Sequence, residues 1–339
     1  MIERTLPMTP ASPHLLEGYR GKTVLVTGAS GFLGGSLVDR LAAGAACRIV
    51  RVARKALATV EVAAGATVDD IAGEVRDPSV WDAAVRSADV VFHFAGQTSG
   101  TSAAADPQGD FDANVVPMRQ LLRACRRLGA RPTVLFSGTV TQAGITPRLP
   151  VDEDAADHPV TVYDEHKLIA ETELKAAASA GAICGASLRL ANVYGPGPRG
   201  TRNDRDVLNR MITAALQGEP LTVYGAGDSV RDYVFVEDVI DAFLMAAVRP
   251  ERVTGRHFVI GSGRGTTIRD AFALVAARVE RATGRRVAVV DVEPPTALSV
   301  IEQRHFVADS SRFQAATGWH ARWSLAEGID RTIEARACE

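Results

Sequence analysis

The sequence predicts an α/β protein built on a parallel, doubly wound sheet, and three observations predict it. Short continuous apolar runs read as strands covered on both faces: Val24-Leu25-Val26, Ile49-Val50-Arg51-Val52, Val90-Val91-Phe92-His93-Phe94-Ala95 and Val134-Leu135-Phe136. Apolar residues at helical spacing lie between them, with Leu33, Leu37, Val38 and Leu41 in one segment and Val115, Leu121 and Leu122 in another. A glycine-punctuated turn, Thr27-Gly28-Ala29-Ser30-Gly31-Phe32-Leu33-Gly34, joins the first strand to the first helix. Strands alternating with helices build a parallel sheet.

Taken in order, residues 1–20 hold Pro7, Pro10 and Pro13 and no apolar stretch of signal-peptide type, so they read as a loosely ordered arm. Residues 21–190 read as a dinucleotide-binding domain ending on Ala186-Ser187-Leu188-Arg189-Leu190, with return segments near 232–262. Pro196, Gly197, Pro198 and Gly200 then make a loop, charged through Asp206. Residues 191–335 read as a smaller, interleaved α/β substrate lobe. It has a helix near Val207–Leu216, strands at Leu221-Thr222-Val223-Tyr224 and Tyr233-Val234-Phe235-Val236, and a helix near 268–282. The formal net charge of −2 removes any bulk attraction to nucleic acid or an anionic membrane. Cys47, Cys125, Cys184 and Cys338 are scattered, as expected of reduced thiols in a cytoplasmic protein. No His, Cys or Asp cluster has metal-ligand spacing, and no apolar run is long enough to span a bilayer.

Gly28, Gly31 and Gly34 give Gly-x-x-Gly-x-x-Gly. The first permits a tight turn, the second lets phosphate approach backbone N–H groups, and the third lets helix pack on sheet. The helix N-terminus then faces a pyrophosphate. An NAD site carries Asp or Glu at the tip of the second strand. Here the tip reads Arg51-Val52-Ala53-Arg54-Lys55, and Arg54, with Ser30 in the turn, suits the 2′-phosphate of NADP(H).

Tyr163 and Lys167 are four apart and share one helical face, so the ammonium is expected to draw the phenol toward working pH and to hold the nicotinamide ribose. Glu171, one turn on, competes for that ammonium. Thr139, ending the strand before the pair, would orient the reacting carbonyl while Tyr163 supplies a proton. Asn114 is expected to open a helix on the same crevice. Asn192, Arg231 and, with less support, Arg304 are candidates for the substrate, the guanidinium groups for a sugar-nucleotide diphosphate. His93, inside an apolar strand, reads as a core histidine.

These residues resemble the extended short-chain dehydrogenase/reductases, the nucleotide-sugar epimerases, dehydratases and reductases. The marks are Thr27–Gly34, Phe92-His-Phe-Ala-Gly96, Asn114, Tyr163-x-x-x-Lys167, Asn192-Val-Tyr-Gly-Pro196, Arg231-Asp-Tyr-Val-Phe-Val236 and Thr317-Gly-Trp319, spanning about Lys22 to Arg331. The resemblance implies a Rossmann-type fold, a cofactor lying along Gly28, Ser30, Gly31, Phe32, Leu33, Gly34, Arg54, Ala95, Gly96, Tyr163, Lys167 and Leu190, and a homodimer. Ser137–Gly144, Tyr163–Glu171, Leu174–Gly181 and Gly261–Gly265 are similar to the 4-ketoreductases of deoxysugar biosynthesis for antibiotics. They imply NADPH-dependent reduction of a dTDP-4-keto-6-deoxyhexose, with an NAD(P)-dependent nucleotide-sugar 4-epimerase as the alternative and a non-catalytic NADP-binding regulator as a remote one. Val140-Thr141 stand where the 4,6-dehydratases carry Asp-Glu, which argues against dehydration. Gln142-Ala143-Gly144 is expected to reshape the sugar pocket, and Val259 replaces an Asn common in the family.

Overall fold

The structure is a computed structural model, and it describes residues 13–63, 65–198, 206–293 and 303–337. Residues 1–12 of the expected arm, Gly200 with most of its charged loop, and Cys338 lie outside the described residues. The first part of the chain runs α1 (Pro13–Glu17), β1 (Thr23–Thr27), α2 (Phe32–Ala42), β2 (Arg48–Ala53), β3 (Thr67–Ala72), α3 (Pro78–Val85), β4 (Val90–His93), α4 (Gly100–Ala105), α5 (Pro107–Asn114), α6 (Val116–Leu128), β5 (Thr133–Thr139), α7 (Val162–Ser179) and β6 (Cys184–Leu190). Then follow β7 (Asn192–Tyr194), α8 (Val207–Gln217), β8 (Leu221–Tyr224), β9 (Val230–Phe235), α9 (Val236–Ala247), α10 (Pro250–Val253), β10 (His257–Ile260), β11 (Gly265–Thr267), α11 (Ile268–Thr283), β12 (Val289–Val292), α12 (Ser311–Thr317) and α13 (Leu325–Ala337).

Seven strands form one parallel sheet in the order β10-β6-β5-β4-β1-β2-β3. This is the Rossmann-type α/β fold that the strand runs predict. Successive residues of β1 serve opposite faces: Val24 and Val26 pack with Leu37, Leu41 and Phe243, while Leu25 packs with Trp81, Met118, Leu121 and Leu174. Covering both faces is what lets these strands be apolar throughout. Strand order reverses between β1 and β4, so a crevice opens at their C-terminal ends, where open α/β sheets bind ligands. Smaller sheets, β11-β9-β7 and β12-β8, lie beside it.

Several expectations change. Residues 13–20 are not a loose arm: α1 is helical, and buried Tyr19 donates its hydroxyl to Leu244 O on α9 at 2.8 Å. The apolar run at 90–95 is strand only to His93, and Val236 belongs to α9, which is buried on nearly every side and so lacks a polar face to reveal it. Asn114 does not open a helix; it closes α5, and Val115 separates it from α6. Strand β3 went unpredicted because Asp69 and Asp70 break its apolar pattern; they pair with Arg48 and Arg51 across the edge of the sheet.

Candidate active site

The turn after β1 is built by steric exclusion. Gly28 has φ of 67°, a left-handed conformation that only glycine adopts cheaply, and a Cβ there would sit 2.8 Å from Ala95 N. A Cβ on Gly34 would lie 2.2 Å from Gly28 O, so the third glycine is what lets α2 pack against the turn. Gly31 is the N-cap of α2 and no side chain caps it, so its first N–H groups point into the crevice unserved by a cap. Thr27 Oγ1 ties the turn to β4, lying 2.7 Å from His93 Nδ1 and accepting from Ala95 N at 3.2 Å. These features fit a dinucleotide pyrophosphate. His93 is fully buried between Trp81 and Phe136, and burial, with Lys167 nearby, drives its imidazole down to about 3, so it is the neutral core histidine expected. Arg54 is 77% exposed at the tip of β2, its Nε 3.9 Å from Glu74 Oε1; Lys55 is also exposed.

Tyr163 and Lys167 lie one turn apart on α7, whose start is fixed by a reciprocal cap between Thr161 and Asp164. Lys167 is 3% exposed, with Nζ 4.3 Å over the Phe136 ring. Burial lowers its ammonium to about 8, against the opposing pull of Asp110 and Glu171. The Tyr163 phenol departs from expectation. Burial, then Asp164 and Asp110, push it above the usual tyrosine range, and the neighbouring ammonium does not reverse this. Glu171 does not take Lys167 either: its oxygens accept from Arg189 Nη2 at 2.6 Å, Arg189 Nε at 3.1 Å and Gln142 Nε2 at 3.1 Å.

Thr139 ends β5 with its Oγ1 2.8 Å from Thr141 Oγ1, which in turn donates to Asp164 Oδ1. This links the strand end carrying Thr139 to the helix carrying Tyr163. Gln142, expected to reshape a pocket, is instead fully buried. It accepts from Thr139 N at 2.9 Å and pins the strand end to Glu171. Val259 is likewise buried in β10, where its N donates to Glu153 Oε1 at 2.8 Å.

In the second lobe, Arg231 and Arg304 are both 8% exposed, and Arg231 Nη1 donates to Arg304 O and to Val230 O. Arg304 Nε and Nη1 are buried without a hydrogen-bond partner. Burial and the like charge of Arg231 lower the Arg304 guanidinium to about 10. Two buried cations side by side are costly unless an anion joins them. Asn192 pairs with Tyr233 in the β7–β9 register. Three groups escaped the sequence: Asp110, His166 as its partner, and Asp164. No spacing signals a contact between residues 56 positions apart, such as Asp110 and His166.

A profile of the NAD dependent epimerase/dehydratase family matches residues 24–261. The chain belongs to that family. A UDP-glucose 4-epimerase of Mycolicibacterium smegmatis is 30% identical over 315 residues, covering 91% of this chain and 97% of the relative. A dTDP-L-rhamnose 4-epimerase of Burkholderia thailandensis is 28% identical, covering 91% and 93%. Among solved structures, MoeE5 in complex with UDP-glucose and NAD superposes with a TM-score of 0.79 at 27% identity, covering 93% of this chain and 98% of that one. Among the described residues no helix is long and apolar enough to cross a membrane.

Proposed function

We propose that the chain performs hydride chemistry at C4 of a nucleotide-linked hexose, and that its net reaction is 4-epimerisation, the activity named for its relatives. The observation that carries the chemistry is the Tyr163–Lys167 face of α7 linked through Asp164 and Thr141 to Thr139. A bound nicotinamide supplies hydride exchange at C4. Tyr163 takes the proton of the C4 hydroxyl as the carbonyl forms and returns it when the carbonyl is reduced. Lys167 holds the ribose and the phenol, Thr139 donates to the carbonyl oxygen, and Arg231 and Arg304 fork onto the diphosphate. The orphaned donors of Arg304 support that last assignment. Gly28, Ser30, Gly31, Phe32, Leu33, Gly34, Ala95, Gly96 and Leu190 are assigned to the cofactor.

A second reading, net NADPH-dependent reduction of a 4-keto-6-deoxy sugar, is favoured by two observations. The β2 tip carries Arg54 and no carboxylate. The raised Tyr163 phenol is held protonated, as a proton donor to a ketone must be. One experiment separates the readings. Purified protein is incubated with UDP-hexoses, dTDP-hexoses and dTDP-4-keto sugars while NADPH absorbance and products are followed. Epimerisation converts the hydroxyl epimers with no net change in cofactor. Ketoreduction consumes one NADPH per product. Inactivity on all of them, with cofactor bound, overturns both.

We also assign the outer face of α7 to a second copy of the chain. A groove of about 690 Å³ there is lined by Leu168 and Ile169 between Glu165 and Glu173, and the neighbouring α6 offers exposed Arg123 as complementary charge, Arg119 being already paired with Glu173 of the same chain. An Ile169→Glu variant that leaves a light-scattering mass unchanged would overturn this.

A further inference from the structure

A buried acid–imidazole pair stands beside the Tyr163–Lys167 face. Asp110, on α5, is 2% exposed. Its Oδ1 accepts from Gln97 Nε2 at 2.9 Å and from Asn114 Nδ2 at 3.0 Å, and its Oδ2 lies 2.7 Å from His166 Nδ1. A carboxylate only accepts, so His166 Nδ1 carries the hydrogen. Both oxygens are thus fixed in direction. His166 immediately precedes Lys167 on α7 and meets Phe111 edge-on, with ring centroids 5.3 Å apart, so the pair clamps α5 to the helix that carries the reactive side chains.

A buried carboxylate is costly unless a cation balances it. The groups facing Lys167 are Asp110 from α5, His93 from β4, the Phe136 ring from β5, and Glu171 and Tyr163 from its own helix. His93 is neutral, and Glu171 is taken by Arg189. Among the described residues no carboxylate lies within ion-pair distance of Lys167. Asp110 is the larger of the two anionic influences on it and also acts on Tyr163.

Resting on the hydride chemistry proposed above, we propose that Asp110, oriented by His166, is a positioning residue: the fixed anion that keeps the Lys167 ammonium charged beside the Tyr163 phenol. Without that anion the ammonium gives up its proton at lower pH, and the phenol follows in the same direction. Any step that needs the ammonium then fails at lower pH.

The chain has four lysines, Lys22, Lys55, Lys167 and Lys175, so the Lys167 side chain can be followed by carbon and nitrogen NMR in the full-length protein. The same pH series gives NADH and NADPH affinity from nicotinamide fluorescence. Asp110→Asn is expected to lower the proton affinity of Lys167 by about tenfold and to carry the alkaline limb of cofactor binding down with it. Asp110→Glu is expected to restore most of both. A folded Asp110→Asn protein whose Lys167 titration and binding limb match the wild type overturns the proposal. If that variant does not fold, His166→Ala carries the test: loss of the 2.7 Å contact is expected to lower the Lys167 proton affinity about threefold, and no change overturns it. Variants that show these shifts, in a protein that binds cofactor but as wild type turns over no nucleotide sugar, defeat the assigned function, not the role of Asp110.

Discussion

The end of the crevice we assign to the cofactor is made of backbone, and the end we assign to the sugar is made of buried charge. At Gly28, Gly31 and Gly34 sterics shape the turn, and peptide N–H groups form most of the surface we assign to the cofactor. Around Thr139, Asp164, Lys167, Arg231 and Arg304 the surface we assign to the sugar is a set of charged or hydrogen-bonding side chains taken out of water. A steric site fails when an atom is added. An electrostatic site fails when a charge is removed, and its failure shows in activity before stability.

Variants can break that contrast. The largest effect is expected from Tyr163→Phe, which removes the proton donor while leaving the fold, and should cut turnover by about 10³-fold with cofactor affinity little changed. Gly34→Val tests the steric end. Its Cβ meets Gly28 O at 2.2 Å, and we expect a loss of about 3 kcal/mol in denaturant unfolding, with cofactor binding lost alongside. Arg304→Met should raise KM for the nucleotide sugar about 30-fold, equivalent to about 2 kcal/mol, while leaving the melting temperature equal or higher, because a buried cation with Nε and Nη1 unsatisfied is removed. A fall in stability there would end the diphosphate assignment.

Lys167 sharpens the comparison through pH. Its folded-state value of about 8 lies below the ordinary lysine value of 10.5, so between those values the unfolded chain binds more protons than the native one. Its contribution to stability therefore rises with pH across that window, whereas function that needs the ammonium declines from about pH 8 upward. Lys167→Met should consequently be more stable than wild type at pH 7, with the gap closing by pH 10.5; chemical unfolding across that range checks it. The smallest effect is expected from Arg54→Glu. This exposed side chain should shift the NADPH-to-NADH preference by about fivefold toward NADH, and an unchanged ratio would remove Arg54 from the cofactor site.

The steric half was legible because its information is local. Glycines at fixed spacing, an apolar strand before them and an amphipathic helix after them specify the turn and the doubly wound sheet. Tyr163, Lys167 and Thr139 were legible for the same reason, through helical spacing and strand termini. The charge half was not. Arg231 and Arg304 could be named as guanidinium groups, but their contact joins residues 73 apart. Glu171 sits at the right spacing to reach Lys167, yet Arg189, brought alongside by β6, outcompetes it with two hydrogen bonds. Tyr163 likewise shows that an i,i+4 ammonium does not set a phenol by itself, since burial, then adjacent Asp164 and Asp110 from α5, push the other way.

The sheet's outer strand has a consequence for biosynthesis. Strand β6 is flanked by β5 on one side, but its other edge is closed only by His257–Ile260. While the ribosome is still making the second lobe, that edge presents unpaired peptide groups to the crowded cell, a template for adhesion to other nascent chains. Cutting the gene near residue 190 to express the nucleotide-binding half alone should thus yield insoluble material, and restoring the segment through Ile260 is the shortest repair.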